Sequence, residues 1–94
     1  MELRTGLSYG DVLLVPQRSA VDSRSDSSLE TQVTPSLTLD IPLVSAAMDT
    51  VTEAETAAAL AELGGLGVIH RFLSIEEQAA DVRAVAEQGG PVAA

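Results

Sequence analysis

The 94-residue chain contains no cysteine, no tryptophan and no lysine, and Tyr9 and Phe72 are its only tyrosine and phenylalanine. The lack of cysteine excludes a disulfide framework and a thiol nucleophile within these residues. No apolar run approaches the ~20 residues of a membrane-spanning helix, and the start, Met-Glu-Leu-Arg-Thr-Gly, lacks the basic-then-apolar order of a signal peptide. We therefore expect a cytoplasmic protein that does not enter a membrane.

The charge of the chain is strongly acidic, with 14 acidic residues against five arginines and a formal net charge of −9. Such a charge disfavours non-specific binding to nucleic acid or to an anionic membrane, and we expect neither as a partner. An acid-rich, lysine-free composition fits a halophilic protein kept soluble at high salt, although an acidic protein from moderate salt is the alternative. The hydrophobic content of 46% is rich in alanine and predicts one small domain whose core is built from small contacts.

The stretch around which the chain is organised runs from Ile41 to Glu53. Its apolar run from Leu43 to Met48 has no polar alternation, which predicts a strand covered on both faces, as in a parallel sheet. Thr50 and Glu53 then have the spacing of a capping box, which predicts that a helix begins at Val51. The corner between this strand and this helix is where α/β proteins bind ligands.

Three features are predicted before this stretch. Residues 12–15 form a short apolar strand stopped by Pro16. The serine-rich residues 17–28 form a surface loop, which is either functional or a plain solvated connector. Residues 29–33 and 37–41 alternate apolar and polar side chains and form an antiparallel hairpin, at the end of the sheet opposite the ligand corner. Residues 1–40 are thus an N-terminal extension.

After the corner, a helix over residues 51–63 carries a face of alanines and stops at Gly64-Gly65. A strand follows over residues 66–69. Ser74 and Glu77 repeat the capping-box spacing and open a helix over residues 75–87.

The apolar stripe of this second helix includes Ile75, Ala79, Val82 and Val85, and residues 91–94 begin a third buried strand. The predicted order is βαβα and the beginning of a further strand, recurring about every 25 residues, which fits tight units of a (β/α)8 TIM barrel. Residues 41–94 are therefore interpreted as the first, incomplete part of an α/β barrel, and the chain as the front of a larger protein.

Candidate ligand-binding residues lie where these strands end. Ala46, Met48, Asp49 and Thr50 follow the first strand, and His70 and Arg71 follow the second. Methionine offers a flexible apolar surface to a flat ring, and the histidine–arginine pair offers a titratable ring beside an anion-binding guanidinium. The alternatives are that Met48 fills the core, that Asp49 and Thr50 only cap the helix, and that the pair is loop surface. No metal-ligand cluster and no phosphate-binding glycine loop is predicted.

Four blocks of sequence, residues 7–16, 42–53, 65–70 and 74–78, resemble the amino-terminal part of the IMP dehydrogenase/GMP reductase family. The resemblance implies a (β/α)8 barrel, usually a homotetramer, that acts on a purine nucleotide with NAD or NADP. In the dehydrogenase a loop cysteine attacks C2 of IMP, hydride passes to NAD, and water releases XMP. The resemblance places that cysteine and a supporting potassium ion beyond Ala94, so these residues alone are expected to be inactive.

The resemblance also assigns individual positions. Ala46 and Met48 match family positions that touch IMP. Asp49 and Thr50 would contact these two residues and not the nucleotide itself. Arg71 stands where relatives often carry a lysine that handles the 2-amino group in the reductases, and an arginine cannot share a proton in the same way. The loop at Ser23 and Arg24 aligns with a region that reaches the adenosine side of the cofactor in a neighbouring subunit.

Two features of the sequence bear on whether the chain resembles the dehydrogenases or the reductases, and they point in opposite directions. Many dehydrogenases insert CBS modules after the second barrel helix, whereas here Pro-Val-Ala-Ala follows Gly89-Gly90 at once, as in reductases and insert-free dehydrogenases. The sequence segments Asp-Thr-Val-Thr-Glu-Ala and Ser-Ile-Glu-Glu-Gln instead resemble the dehydrogenases more closely. The sequence is interpreted as an IMP dehydrogenase, with GMP reductase and a truncated, non-catalytic binding module as alternatives.

Overall fold

The computed structural model describes residues 4–94, in which short strands alternate with two helices after a long irregular segment. The elements in chain order are β1 (Thr31–Thr34), β2 (Leu37–Leu39), α1 (Ala54–Glu62), β3 (Gly67–Val68), α2 (Ile75–Glu87) and β4 (Val92–Ala93). Neither helix is long and apolar enough to cross a membrane. The first three residues of the N-terminal extension lie outside the described part of the chain.

The irregular segment corrects one prediction. Residues 12–15 form no strand, and the side chains of Leu13 and Leu14 are 95% and 98% exposed. A strand needs a partner for its backbone hydrogen bonds, and no described segment pairs with these residues. The predicted surface loop over residues 17–28 is confirmed, with one 3-10 turn at Arg24–Asp26 whose N-cap is Ser23.

The predicted hairpin is confirmed. Strands β1 and β2 pair antiparallel, with Thr31 opposite Leu39. Directly after β2, the backbone N–H groups of Asp40 and Ile41 both donate to the carbonyl oxygen of Gly64, at 3.0 and 3.2 Å. Gly64 follows the C-terminal end of α1, so the hairpin is attached at the end of the helix opposite the ligand corner, as predicted.

A parallel sheet forms the centre of the described chain. Strands β3 and β4 pair parallel, and residues 43–45 lie parallel to β3 on its other side through a bridge between Val44 and Leu66. The predicted order of strand, helix, strand, helix, strand is therefore confirmed. The first strand is shorter than predicted and is not covered on both faces, since Leu43 and Val44 remain more than half exposed. Within residues 4–94, no second strand pairs with its outer edge.

Helix α1 sits very close to the sheet because its contact face is made of alanine. Ala57 is fully buried, and a Cβ placed on Gly67 of β3 would lie 2.4 Å from the Ala57 Cβ. Ala57, Ile69 of the sheet and Val85 of α2 form the central apolar cluster. Small residues on both surfaces thus allow the backbones of α1 and β3 to approach each other.

The start of α2 confirms the second predicted capping box. The Glu77 N–H donates to Ser74 Oγ at 3.2 Å, and the Ser74 N–H donates to Glu77 Oε2 at 2.8 Å. The predicted apolar stripe is only half right, because Ile75 is 83% exposed and Ala79 is exposed as well. Val85 and Val82, further along the helix, make the contact with the core.

The shape of the molecule is extended. Its radius of gyration is 17.8 Å, whereas a compact chain of this length has a value of about 12 Å. Every described residue before Leu37 is exposed. The buried core is confined to the βαβαβ part and the end of the hairpin.

Candidate functional site

The candidate site begins at a tight turn that follows the first parallel strand. The N–H groups of Val51 and Thr52 both donate to the carbonyl oxygen of Met48 at 3.1 Å. The Thr52 side chain is fully buried, and its Oγ1 donates to the carbonyl oxygen of Ala46 at 2.7 Å. Thr50 has a φ of 60°, a left-handed conformation that is rare for a β-branched residue. The chain therefore leaves the strand at Ala46 and turns before the helix begins.

This turn overturns the first predicted capping box. Helix α1 begins at Ala54, with Glu53 as its N-cap and no side-chain capping bond. Thr50, the predicted capping hydroxyl, lies within the turn. The hydrogen bonds of residues 51 and 52 to the strand end hold these residues out of the helix. The alternative in which Asp49 and Thr50 only cap α1 is wrong for the same reason.

Met48 and Ala46 lie at the surface of the corner. Met48 is 57% exposed, so it does not fill the core of the described chain. Ala46 is also exposed. Behind them, the Ser45 hydroxyl accepts a hydrogen bond from the Val68 N–H at 3.0 Å, which fixes the strand end against β3. An apolar, flexible side chain next to a very small one leaves room for a flat ligand to approach the backbone.

His70 lies at the carboxyl end of β3, as predicted, but it is buried, with a relative exposure of 1%. Its Nδ1 accepts a hydrogen bond from the Phe72 N–H at 3.1 Å. Its backbone N–H donates to the Thr52 carbonyl at 3.4 Å, and its own carbonyl accepts from Gln78 Nε2 at 3.0 Å. The backbone of His70 is thus held by the turn on one side and by α2 on the other, and the buried residue is not loop surface.

A side-chain cluster that the sequence analysis missed lies at this point. Nε2 of His70 is 3.8 Å from Asp49 Oδ1 and 3.8 Å from Glu53 Oε1. The three atoms are close enough to one another to be possible ligands of one metal ion. Asp49 and Glu53 are four residues apart and His70 comes 17 residues after Glu53, so only the fold brings them together. The sequence does contain one signal for this cluster. Asp49 and Glu53 follow the first parallel strand and His70 follows the second, and the carboxyl ends of these strands lie side by side.

The remaining predicted residues occupy different positions. Arg71 is exposed, and its guanidinium carbon lies 5.3 Å from the centroid of the Phe72 ring, within the range of a cation–π contact. Arg24 begins the exposed 3-10 turn, and Ser23 is its N-cap. The Ser23 hydroxyl forms a hydrogen bond with the Ser25 hydroxyl, and the Ser23 N–H donates to the Asp26 carboxylate. The fold thus joins Asp49 to His70, while the 3-10 turn is a separate element.

Two carboxylates outside the corner have perturbed acidities. The backbone N–H and the hydroxyl of Ser74 hold the pKa of Glu77 below its usual value. The backbone N–H and the hydroxyl of Ser8 lower the pKa of Asp11 in the same way, with bonds of 2.8 and 2.7 Å. Both arrangements are local turns in which a carboxylate accepts two hydrogen bonds, which favours its charged form.

The fold and the corner together define a class of protein. It is an α/β protein with parallel strands whose carboxyl ends carry an exposed methionine, a small residue and a buried histidine, an arrangement suited to binding a ligand. A family model described as the IMP dehydrogenase / GMP reductase domain matches residues 6–90. The chain belongs to this family.

Individual relatives agree with the family model. The chain is 52% identical over 89 residues to an inosine-5'-monophosphate dehydrogenase of Nitrosopumilus maritimus, a match covering 95% of this chain and 19% of that protein. It is also 52% identical over 83 residues to a GMP reductase of Leishmania donovani, covering 88% and 17%. A crystal structure of the GMP reductase from Trypanosoma brucei in complex with guanosine 5'-triphosphate is similar with a TM-score of 0.80 and 48% identity, covering 86% and 19%. The chain therefore spans about a fifth of the length of these relatives.

Proposed function

We propose that residues 41–94 are the first part of a (β/α)8 barrel that acts as a purine nucleotide oxidoreductase, in the first instance an IMP dehydrogenase. The parallel order of residues 43–45, β3 and β4, with a helix in each connection, is what the first units of such a barrel require. Beside the outer edge of the first strand lies an open apolar groove lined in part by Leu43, Leu60 and Leu63. A further barrel unit packed there would pair this edge and cover the groove.

The observation that carries the proposal is the exposure of Met48 at the carboxyl end of the first strand. An enzyme of this family uses its barrel strand ends to bind substrate, and an apolar side chain that is 57% exposed there is free to contact a purine ring. Ala46 leaves space beside it. Asp49 and Thr50 belong to the turn that presents both residues, and His70 lies directly behind that turn.

The remaining parts of the proposal extend beyond the corner. NAD or NADP supplies the hydride acceptor or donor when it is bound. The exposed Ser23 and Arg24 are accessible to its adenosine side from a neighbouring subunit of a homotetramer, and a guanidinium suits contact with a phosphate. The cysteine nucleophile and a potassium ion belong, in this proposal, to later units of the barrel.

GMP reductase is the second candidate. It is favoured by the similarity to the reductase of Leishmania donovani, whose 52% identity equals that of the Nitrosopumilus maritimus dehydrogenase, and by the 48% identity to the reductase of Trypanosoma brucei. Arg71 is the residue that bears on this choice, because a permanently charged guanidinium stacked near Phe72 cannot take part in proton transfer as a lysine can. A non-catalytic binding module is disfavoured by the extended shape and the small core of the 94 residues.

One comparison of activities tests the proposal. The full-length protein is assayed for NAD-dependent oxidation of IMP and, separately, for NADPH-dependent reduction of GMP. The first activity supports the dehydrogenase and the second supports the reductase. Absence of both, in a correctly folded protein that also fails to bind IMP and GMP in calorimetry, contradicts both candidates.

A further inference from the structure

The cluster of Asp49, Glu53 and His70 contains an unmade hydrogen bond. Nε2 of His70 is buried and has no hydrogen-bond partner among residues 4–94, although every other polar atom of this residue is bonded. A buried polar group without a partner is costly, and native structures rarely retain one. The two nearest acceptor atoms are Asp49 Oδ1 and Glu53 Oε1, each 3.8 Å away.

The hydrogen bond on the other ring nitrogen determines what Nε2 can do. Nδ1 accepts the Phe72 N–H, so it carries no hydrogen, and the hydrogen of the neutral ring is on Nε2. A histidine that binds a metal through Nε2 normally donates a hydrogen from Nδ1 to an acceptor. Here such a hydrogen would face the Phe72 N–H, placing two donors against each other. The spacing of the cluster allows a metal ion, but the tautomer favours a hydrogen-bond donor at Nε2.

The carboxylates can reach this donor. Their side chains are 64% and 56% exposed, so their torsions are not fixed by packing. A hydrogen bond from N–H to a carboxylate has a length of about 2.8 Å, so either oxygen needs to move by only about 1 Å. Since the two oxygens are equally distant, each can replace the other as the acceptor.

We propose that His70 is a positioning residue, whose Nε2–H donates to the carboxylate of either Asp49 or Glu53 and thereby fixes the turn that presents Met48. Asp49 is within that turn, Glu53 is the N-cap of α1, and His70 follows β3, which ends at Val68. The bond therefore ties the segment after the central strand to the turn or to the start of α1. The inference rests on the proposed function in one respect, namely that Met48 contacts the nucleotide.

Two substitutions of His70 separate the roles of its ring nitrogens. His70→Asn places an oxygen near the position of Nδ1, where it can accept the Phe72 N–H, but removes the Nε2 donor. His70→Gln retains a donor near Nε2 and loses the acceptor. In the full-length protein we expect His70→Asn to raise KM for the nucleotide roughly tenfold with little change in kcat, and His70→Gln to restore most of it. Equal effects of the two substitutions on KM, or no effect of either, would overturn the proposal.

Substitutions of the two carboxylates, which lie at exposed positions, provide a second test. This test can still be made if a His70 variant fails to fold. We expect Asp49→Ala and Glu53→Ala, which remove the acceptor oxygens, each to raise KM less than about threefold, and the double variant to raise it roughly tenfold, because either acceptor replaces the other. Glu55→Ala and Glu62→Ala, on exposed acids of helix α1, are the matched controls. A double variant with unchanged KM contradicts the proposal.

A spectroscopic measurement separates this proposal from the proposed function. The ring nitrogens of His70 are observed by NMR, with the signals assigned by their loss in His70→Asn. We expect a hydrogen on Nε2, none on Nδ1, and a shift of the Nε2–H signal in the Asp49→Ala/Glu53→Ala double variant, which lacks both acceptors. This result holds even if no nucleotide is bound. A hydrogen on Nδ1, or one equivalent of bound zinc that both His70 variants lose, overturns the proposal in favour of a metal site.

Discussion

The Oγ1 atom of Thr52 donates a 2.7 Å hydrogen bond to the carbonyl oxygen of Ala46, and both residues belong to the corner at the end of the first parallel strand. This bond closes the turn across six residues from inside, because the Thr52 side chain is fully buried. The carbonyl of Thr52 in turn accepts the His70 N–H at 3.4 Å. The corner is therefore held by a buried threonine that the sequence analysis had assigned to a helix.

Replacing Thr52 by valine keeps the shape of the side chain and removes the hydroxyl. The Ala46 carbonyl retains the Met48 N–H at 2.8 Å, so only one of its two hydrogen bonds is lost. We expect a loss of about 1 kcal/mol in the free energy of unfolding, measured in urea. Thr56→Val, at an exposed position of α1, is the matched control and should be near neutral. A Thr52→Val protein as stable as wild type would show that the bond contributes nothing.

Thr50 provides a test of strain in the same turn. Its φ of 60° is unfavourable for any residue with a Cβ and most of all for a β-branched one. We expect Thr50→Gly to raise the free energy of unfolding by about 1 kcal/mol, after allowance for the greater chain entropy of glycine. Thr50→Ala keeps the Cβ and should gain much less. If alanine and glycine stabilise the protein equally, the backbone is not strained at this residue.

The two capping boxes explain why the fold was easier to predict than the corner. Ser74 with Glu77 and Thr50 with Glu53 have the same spacing, yet only the first pair forms a capping box. In the described part of the chain the side chains of Ser74 and Glu77 hydrogen-bond only within this pair, so local sequence determines the result. At the corner the backbone of residues 51 and 52 bonds to Met48, and tertiary contacts override the local signal. Helix α2 was accordingly predicted at its observed bounds, and α1 was not.

The candidate site was predictable only in part for a similar reason. The position of His70 at a strand end follows from the order of the elements, and the structure confirms it. The structure adds the burial of His70, its tautomer and its distance to Glu53. These depend on how the turn and α2 pack around β3, and the hydrophobic periodicity of the sequence does not reveal such tertiary contacts. The predicted strand at residues 12–15 failed because an apolar pattern does not reveal whether a pairing partner is present.

Gly67 tests the close approach of helix and sheet. A Cβ at this position would lie 2.4 Å from the Ala57 Cβ and 2.5 Å from its Cα, and the latter is backbone that cannot easily move. We expect Gly67→Ala to lower the free energy of unfolding by about 3 kcal/mol, at the upper end of the usual cost of overpacking. Gly6→Ala, where a Cβ meets nothing within 4 Å, is the control. Equal stability of the two variants in urea would contradict the packing of α1 on β3.

Met48 is where the proposed substrate contact can be measured directly. Because its side chain is 57% exposed, truncating it should not unfold the protein. In the full-length protein we expect Met48→Ala to raise KM for the nucleotide roughly tenfold, through loss of apolar contact with the purine, and Met48→Leu to restore most of it. Thermal unfolding of both variants should match wild type. Unchanged KM in Met48→Ala would remove Met48 from the proposed nucleotide site.

Glu77 gives a prediction for pH dependence. Its pKa is lowered in the folded protein by the two hydrogen bonds from Ser74, so the folded state favours the charged form more than the unfolded state does. The stabilisation is therefore fully present above the ordinary glutamate pKa of about 4.3 and is lost as the pH falls through the lower, folded-state pKa. Glu77→Gln can still form a capping box but does not titrate. We expect its free energy of unfolding to fall less than that of wild type between neutral and acidic pH. Glu76→Gln, at the adjacent exposed acid, should follow wild type more closely, and an equal flattening in both variants would assign the effect to helix charge in general.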